Sequence, residues 1–232
     1  LGRGMVYDEL GKMELAFQDL DRVIQNPFFK KVYTGRGNHY KDLKQYKKAI
    51  LFYDKAIQFN PNDKDAYSGR GACYQELGDE TKAQADFNIT LKINEAIDHY
   101  NRGNNYDDLK QYERAIQEYD KAIELNPNYV DAYNNRGFIY NDRLKQYERA
   151  IQNYDKAIEL NPNYAKAYNN RSIAYSNLKK YYLAIADKTK YIQLKPNDAK
   201  AYYWRGKYYQ ALGENSKAQE DLDKAKELGY KG

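Results

Sequence analysis

The chain has a single cysteine, Cys73, among its 232 residues, which excludes an internal disulfide framework. Set between Ala72 and Tyr74 in an apolar stripe of helical spacing, it reads as a small buried filler. Long apolar runs are missing too: none reaches the roughly 18 residues of a membrane-spanning helix. The first residues, Leu1-Gly-Arg-Gly, carry neither an initiating Met nor the charged-then-apolar pattern of a secretory leader. These absences point to a cytoplasmic protein with no membrane partner, and to a chain that begins inside an element, as a fragment would. Its two histidines, His39 and His99, fall in different segments at core-type positions and have no ligand partner by spacing, so neither metal nor other cofactor is expected. Charge of one sign is not in excess either. The 38 basic and 33 acidic residues are interspersed and give +5, too mild a balance to argue for nucleic acid. No constellation of catalytic residues stands out, so the expectation is a protein that is not an enzyme and has no small-molecule substrate.

What the chain does have is repetition. Arg-Gly recurs as Arg3-Gly4, Arg36-Gly37, Arg70-Gly71, Arg102-Gly103, Arg136-Gly137 and Arg205-Gly206, with Arg171-Ser172 filling the one gap, at spacings of 32 to 35 residues. Three positions after the small residue stand Tyr7, Tyr40, Tyr74, Tyr106, Tyr140, Tyr175 and Tyr209. Four before it are Tyr33, Tyr67, His99, Tyr133, Tyr168 and Tyr202, which completes the apolar stripe of a first helix. Further on come Ala16, Ala49, Ala83, Ala115, Ala150, Ala184 and Ala218. Four residues after each of these stand Leu20, Tyr53, Phe87, Tyr119, Tyr154, Lys188 and Leu222, the stripe of a second helix. Asn60-Pro61, Asn126-Pro127, Asn161-Pro162 and Lys195-Pro196 then stop one hairpin and start the next. Hairpins of this kind cannot bury both faces alone, so the sequence predicts an all-α stack, an α-solenoid.

In order, Tyr-x-x-Arg-Gly-x-x-Tyr, then Ala-x-x-x-Tyr-x-x-Ala, then Pro, the columns resemble the tetratricopeptide repeat (TPR) family over essentially the whole chain, with Tyr where the family often has Trp. The resemblance implies a right-handed superhelix of seven helix-turn-helix hairpins whose first helices line a concave groove. It also implies a non-catalytic scaffold or adaptor that binds a protein or peptide partner. The repeats are not uniform. Asn94-Glu95 replaces a closing proline, the following spacing is the shortest, and Thr90 stands where other units have Ala56, Ala122 and Ala157. An irregular stacking joint is therefore expected near residues 88–98, between three units in 1–95, the first truncated, and four units in 96–232. One extra residue around Asn141-Asp142-Arg143 is expected to bulge outward from a turn.

The arginine column shares the core stripe, so it is expected to bury its stems and pair with Asp19, Asp86, Glu118, Asp187 and Asp221 rather than with a ligand. Groove candidates lie beside it: Asn101, Asn135 and Asn170, with Asn104, Asn134 and Asn169 extending the polar track. An asparagine amide has one acceptor and two donors, so a row of them can hold a peptide backbone without reading its side chains. This resembles the asparagine ladder of the O-GlcNAc transferase repeats, which implies a substrate-recruiting arm of a larger enzyme as one alternative. An architectural subunit of a large assembly is another. The family's carboxylate clamp, which grips the acidic C-terminus of Hsp70 or Hsp90 with Lys, Asn, Asn, Lys and Arg, is matched here by Tyr100, Asn104, Asn135, Lys166 and Asn170. Two cations are missing, so the resemblance implies at most a degenerate co-chaperone clamp. Lys200, Tyr203, Trp204 and Lys207 add an aromatic and basic patch on the last first helix, suited to an apolar or acidic anchor.

Overall fold

The computed structural model describes residues 31–231, so the first repeat, with Arg3, Tyr7, Ala16, Asp19 and Leu20, lies outside the described residues. Among the described residues there are 11 α-helices, one π-helical turn and no strand. The chain divides into two compact units, Leu1–Asn94 and Glu95–Gly232.

The first unit contains α1 (Val32–Asp42), α2 (Tyr46–Phe59), α3 (Lys64–Glu76) and the beginning of α4 (Glu80–Asp108). The Asp63 carboxylate caps α3 by accepting from the Ala66 N–H at 3.1 Å. Among the described residues its core contains Tyr33, Tyr40, Ala49, Phe52, Tyr53, Ala56, Ala66 and Cys73. Tyr40 stacks on Phe52 with ring centroids 5.4 Å apart. The reason for a glycine column is visible here: a Cβ at Gly37 would lie 2.5 Å from the Tyr53 ring. The ring lies flat against the backbone of the first helix, and burying it contributes about 2–3 kcal/mol. Cys73 is fully buried, and desolvation pushes its thiol up to about 11.

The second unit begins within α4 and continues through α5 (Tyr112–Leu125), α6 (Val130–Phe138), α7 (Tyr147–Leu160), α8 (Ala165–Asn177), α9 (Tyr181–Leu194), α10 (Ala199–Ala211) and α11 (Asn215–Glu227). Each helix from α5 onward packs on the next in chain order. Ala115, Ala150, Ala184 and Ala218 are buried where the helices cross, and Tyr119 and Tyr154 fill the space beside them. Tight turns join the two helices of a hairpin and hold Lys110, Lys145 and Lys179 at φ of 59°, 55° and 58°. Gly213, at φ 76°, takes that place between α10 and α11.

Two irregular segments take forms the sequence alone does not define. Around Asn94-Glu95 the chain is helical without interruption, because no proline breaks the backbone ladder of α4. There the Thr90 hydroxyl donates back to the Asp86 carbonyl at 3.0 Å. The extra residue near Asn141 does not bulge outward. It widens the helix into a π-turn, Ile139–Arg143, with the Leu144 N–H bonded to the Ile139 carbonyl at 3.1 Å. A π-turn accepts one more residue while keeping its backbone groups paired, and it leaves Asn141 only 5% exposed.

None of the described helices is long and apolar enough to cross a membrane. The described residues contain no group of three or more His, Cys, Asp or Glu that could hold a metal ion.

Candidate functional site

Five arginines of the column, Arg70, Arg102, Arg136, Arg171 and Arg205, are framework, as their place in the core stripe implies. Arg171 on α8 bonds Asp187 on α9 through Nε and Nη2 at 2.7 and 2.6 Å, and Asp155 on α7 through Nη1 at 2.5 Å. Arg70 likewise bonds Asp86 at 2.8 and 2.7 Å and Asp54 at 2.5 Å. Arg205 bonds Asp221 at 2.7 Å, and Thr189 takes the place of the preceding acid at 3.0 Å. Arg136 reaches Asn153 at 2.7 Å and pairs with Asp120. Each of these guanidinium groups therefore bolts the second helix before it to the second helix after it. Sequence reasoning found only the following acid, because the preceding one belongs to another repeat.

At Arg102 the partner is Glu118, 2.8 Å from Nε, and the His99 ring joins the same carboxylate at 2.7 Å. Partial burial would raise the Glu118 carboxyl, but hydrogen bonds from Arg102, His99 and Lys121 outweigh it and hold the group at about 2. His99 is half-buried in its expected column, whereas His39 is exposed and not a core residue.

The candidate asparagines form a chain of hydrogen bonds across α4, α6 and α8. The Tyr119 hydroxyl donates to Asn104 Oδ1 at 2.7 Å, and Asn135 Nδ2 donates to the same oxygen and to Tyr100 Oη, both at 3.0 Å. Asn134 Nδ2 donates to Asn135 Oδ1, and Asn170 Nδ2 to Asn134 Oδ1, both at 3.1 Å. Asn134 is only 4% exposed, so it supports the row from inside and does not face solvent. Asn101 and Lys166 are exposed and stand outside the chain. Tyr100, Asn104 and Asn135, which occupy three of the clamp positions, bond to one another.

The C-terminal candidates separate into two groups. Asn169, Lys200 and Trp204 line a cavity of about 380 Å³ between α8, α9 and α10, together with Ile173, Lys188, Tyr191, Asp198 and Tyr208. Tyr203 lies outside that wall, its ring 4.4 Å from Tyr230 and edge-on to Trp204 at 5.5 Å, and Lys207 Nζ sits 5.5 Å over it. Sequence reasoning missed Lys188, which is 1% exposed and donates to Asn169 Oδ1 at 2.7 Å. The signal was available: a lysine interrupts a column that otherwise reads Tyr53, Phe87, Tyr119, Tyr154. Desolvation pulls its ammonium down to about 8, against the pull of Asp198 and Asp187.

Tetratricopeptide repeat models match residues 31–63, 52–85, 165–198 and 189–220, and a TPR repeat model matches 103–142 and 143–179. Tetratricopeptide repeat protein 6 of Homo sapiens is 30% identical over 145 residues, 60% of this chain and 28% of that protein. Hsp70-Hsp90 organizing protein 3 of Arabidopsis thaliana is 26% identical over 150 residues, 60% of this chain and 26% of that protein. The chain thus spans about a quarter of the length of these curated relatives. Among solved structures, the first TPR of Spaghetti (RPAP3), bound to the HSP90 peptide SRMEEVD, is 32% identical with a TM-score of 0.50, over 52% of this chain and 94% of that one. The matched models cover most of the sequence, and the helical hairpins with their arginine, glycine and alanine columns agree with them: the chain belongs to the tetratricopeptide repeat family.

Proposed function

We propose that the chain is a non-catalytic interaction module whose second unit holds an extended segment of a partner protein against its first helices. The observation that carries this reading is the hydrogen-bonded row Asn104, Asn135, Asn134 and Asn170, with Asn101 exposed beside it. A peptide backbone arriving on this face trades amide for amide. It takes over hydrogen bonds the asparagines make to one another, so no polar group is left unpaired in either state. The family, whose members generally mediate protein–protein interactions, supports the same reading. Replacement of the clamp's first lysine and final arginine by Tyr100 and Asn170 argues against an Hsp-type acidic C-terminus at those positions, since charge-assisted contacts carry much of such binding.

The test is a combined Asn101→Ala, Asn135→Ala, Asn170→Ala variant screened against a displayed peptide library. Peptides captured by the parent chain should bind at least about tenfold more weakly, a loss of about 1.4 kcal/mol, while far-UV circular dichroism is unchanged. Undiminished capture would overturn the proposal.

A further inference from the structure

Binding of a peptide backbone by asparagines leaves one group unused, the buried ammonium of Lys188. Its Nζ has three hydrogens to donate; one goes to Asn169 Oδ1 at 2.7 Å, and no carboxylate among the described residues lies within ion-pair distance of it. The nearby acids are engaged elsewhere. Asp187 receives Arg171 on both oxygens, while Asp198 accepts the Tyr191 hydroxyl at 2.6 Å and the Lys200 backbone N–H at 3.0 Å. The Tyr191 ring, whose centroid is 5.7 Å from Nζ, offsets only part of the cost of burying an ammonium without a counter-ion, and this one lines a cavity of about 380 Å³. The walls carry two cations, Lys188 and Lys200, against one carboxylate, Asp198, whose oxygens already accept from the Tyr191 hydroxyl and the Lys200 N–H, so the balance favours an acidic guest. Lys200 adds a second cation at the exposed edge, and Ile173 and Trp204, the latter 41% exposed, offer apolar surface.

Packing gives no reason for a lysine here. The equivalent positions hold Tyr53, Phe87, Tyr119, Tyr154 and Leu222, so an apolar side chain fits the column. We infer that the cavity is a carboxylate pocket, in which Lys188 Nζ pairs with an acidic side chain or the C-terminal carboxylate of a bound peptide while Trp204 and Ile173 cover its methylenes. It is distinct from the first-helix positions Tyr100, Asn104, Asn135, Lys166 and Asn170, because Lys188 belongs to a second helix, α9. The inference rests on the peptide-binding reading only for where the carboxylate comes from.

A free dicarboxylate tests the pocket apart from that reading. Glutarate, titrated at constant ionic strength into the whole chain carrying ¹³C-labelled lysine, should shift the Lys188 Cε resonance saturably. The isosteric diamide, glutaramide, should bind at least about tenfold more weakly, because it lacks the charge. Lys188→Met, whose column accepts apolar side chains, should keep its circular dichroism and abolish glutarate binding, read in that variant from the Lys200 resonance. Lys200→Met should weaken binding about threefold, as expected of an exposed cation. Two capped probes then separate the sources: N-acetylglutamic acid α-amide carries only a side-chain carboxylate, and N-acetylglycine only a terminal one. Equal responses to glutarate and glutaramide, glutarate binding unchanged in Lys188→Met, or no saturable response would each overturn the pocket. Saturable glutarate binding alongside undiminished peptide capture by the asparagine variant would instead retain the pocket and discard the asparagine row.

Discussion

Two successive hairpins of the second unit, α6–α7 and α8–α9, share a frame and differ inside it. Arg136 and Arg171 hold equivalent places, as do Ala150 and Ala184. In the first hairpin Gly137 lies under the Tyr154 ring, and a Cβ there would come within 2.8 Å of it. In the second, Ser172 replaces the glycine and the slimmer Lys188 replaces the ring, with the Ser172 hydroxyl donating to the Asn169 carbonyl at 2.6 Å. In this pair the small residue follows the bulk opposite it: where Lys188 replaces the ring, a serine fits.

The arginines offer the strongest way to break this comparison. Arg171→Met leaves Asp187, which is buried, without its counter-ion, and should cost about 3–5 kcal/mol in urea unfolding followed by circular dichroism. Arg136→Met removes a bond to the neutral Asn153 and a pair with the exposed Asp120, and should cost only about 1–2 kcal/mol. Equal losses would mean that the two frames are not held differently.

Lys188 sharpens the contrast through pH. Its folded value of about 8 lies below the roughly 10.4 of an unfolded lysine. Between the two, the unfolded chain binds a proton that the folded chain does not, so stability rises with pH, by an amount on the order of 2 kcal/mol between pH 8 and 10. Lys188→Met should lack this rise and be the more stable protein at pH 7. The window closes near pH 10, where unfolded tyrosines ionise while burial keeps the Tyr119 and Tyr154 phenols protonated, which reverses the slope.

The smallest effect concerns a hydroxyl. Tyr119 donates to Asn104, but Phe138 stands at the corresponding place in the next hairpin, and the buried Tyr154 hydroxyl has no hydrogen-bond partner among the described residues. Tyr119→Phe should cost about 1 kcal/mol, whereas Tyr154→Phe should be neutral or slightly stabilising, since it removes an unpaired polar group. Thermal melts should show a lowered Tm for Tyr119→Phe and no lowering for Tyr154→Phe.

Much of the fold was legible because its columns are local. The Tyr, Arg, Gly and Ala positions report helix faces within one hairpin, and helix geometry converts spacing into direction. What was not legible depends on stacking. Asp54, Asp120 and Asp155 meet their arginines sixteen residues later in the chain, across a boundary between repeats. Asn134 reads as part of an exposed polar track, yet its neighbours on α8 bury it. The extra residue near Asn141 was countable, but counting does not distinguish a looped bulge from a widened helical turn. Lys188 was visible as an interruption of its column, whereas its cavity exists only once α10 packs beside α8 and α9.

An arginine that grips the helices on both sides also changes what a break in the backbone would do. Arg171 joins α7 to α9 across the loops on either side of α8. A cut in the loop between α7 and α8 would therefore leave the Asp155 bond spanning the gap, and the two pieces would remain one particle until that bond and the packing around it gave way.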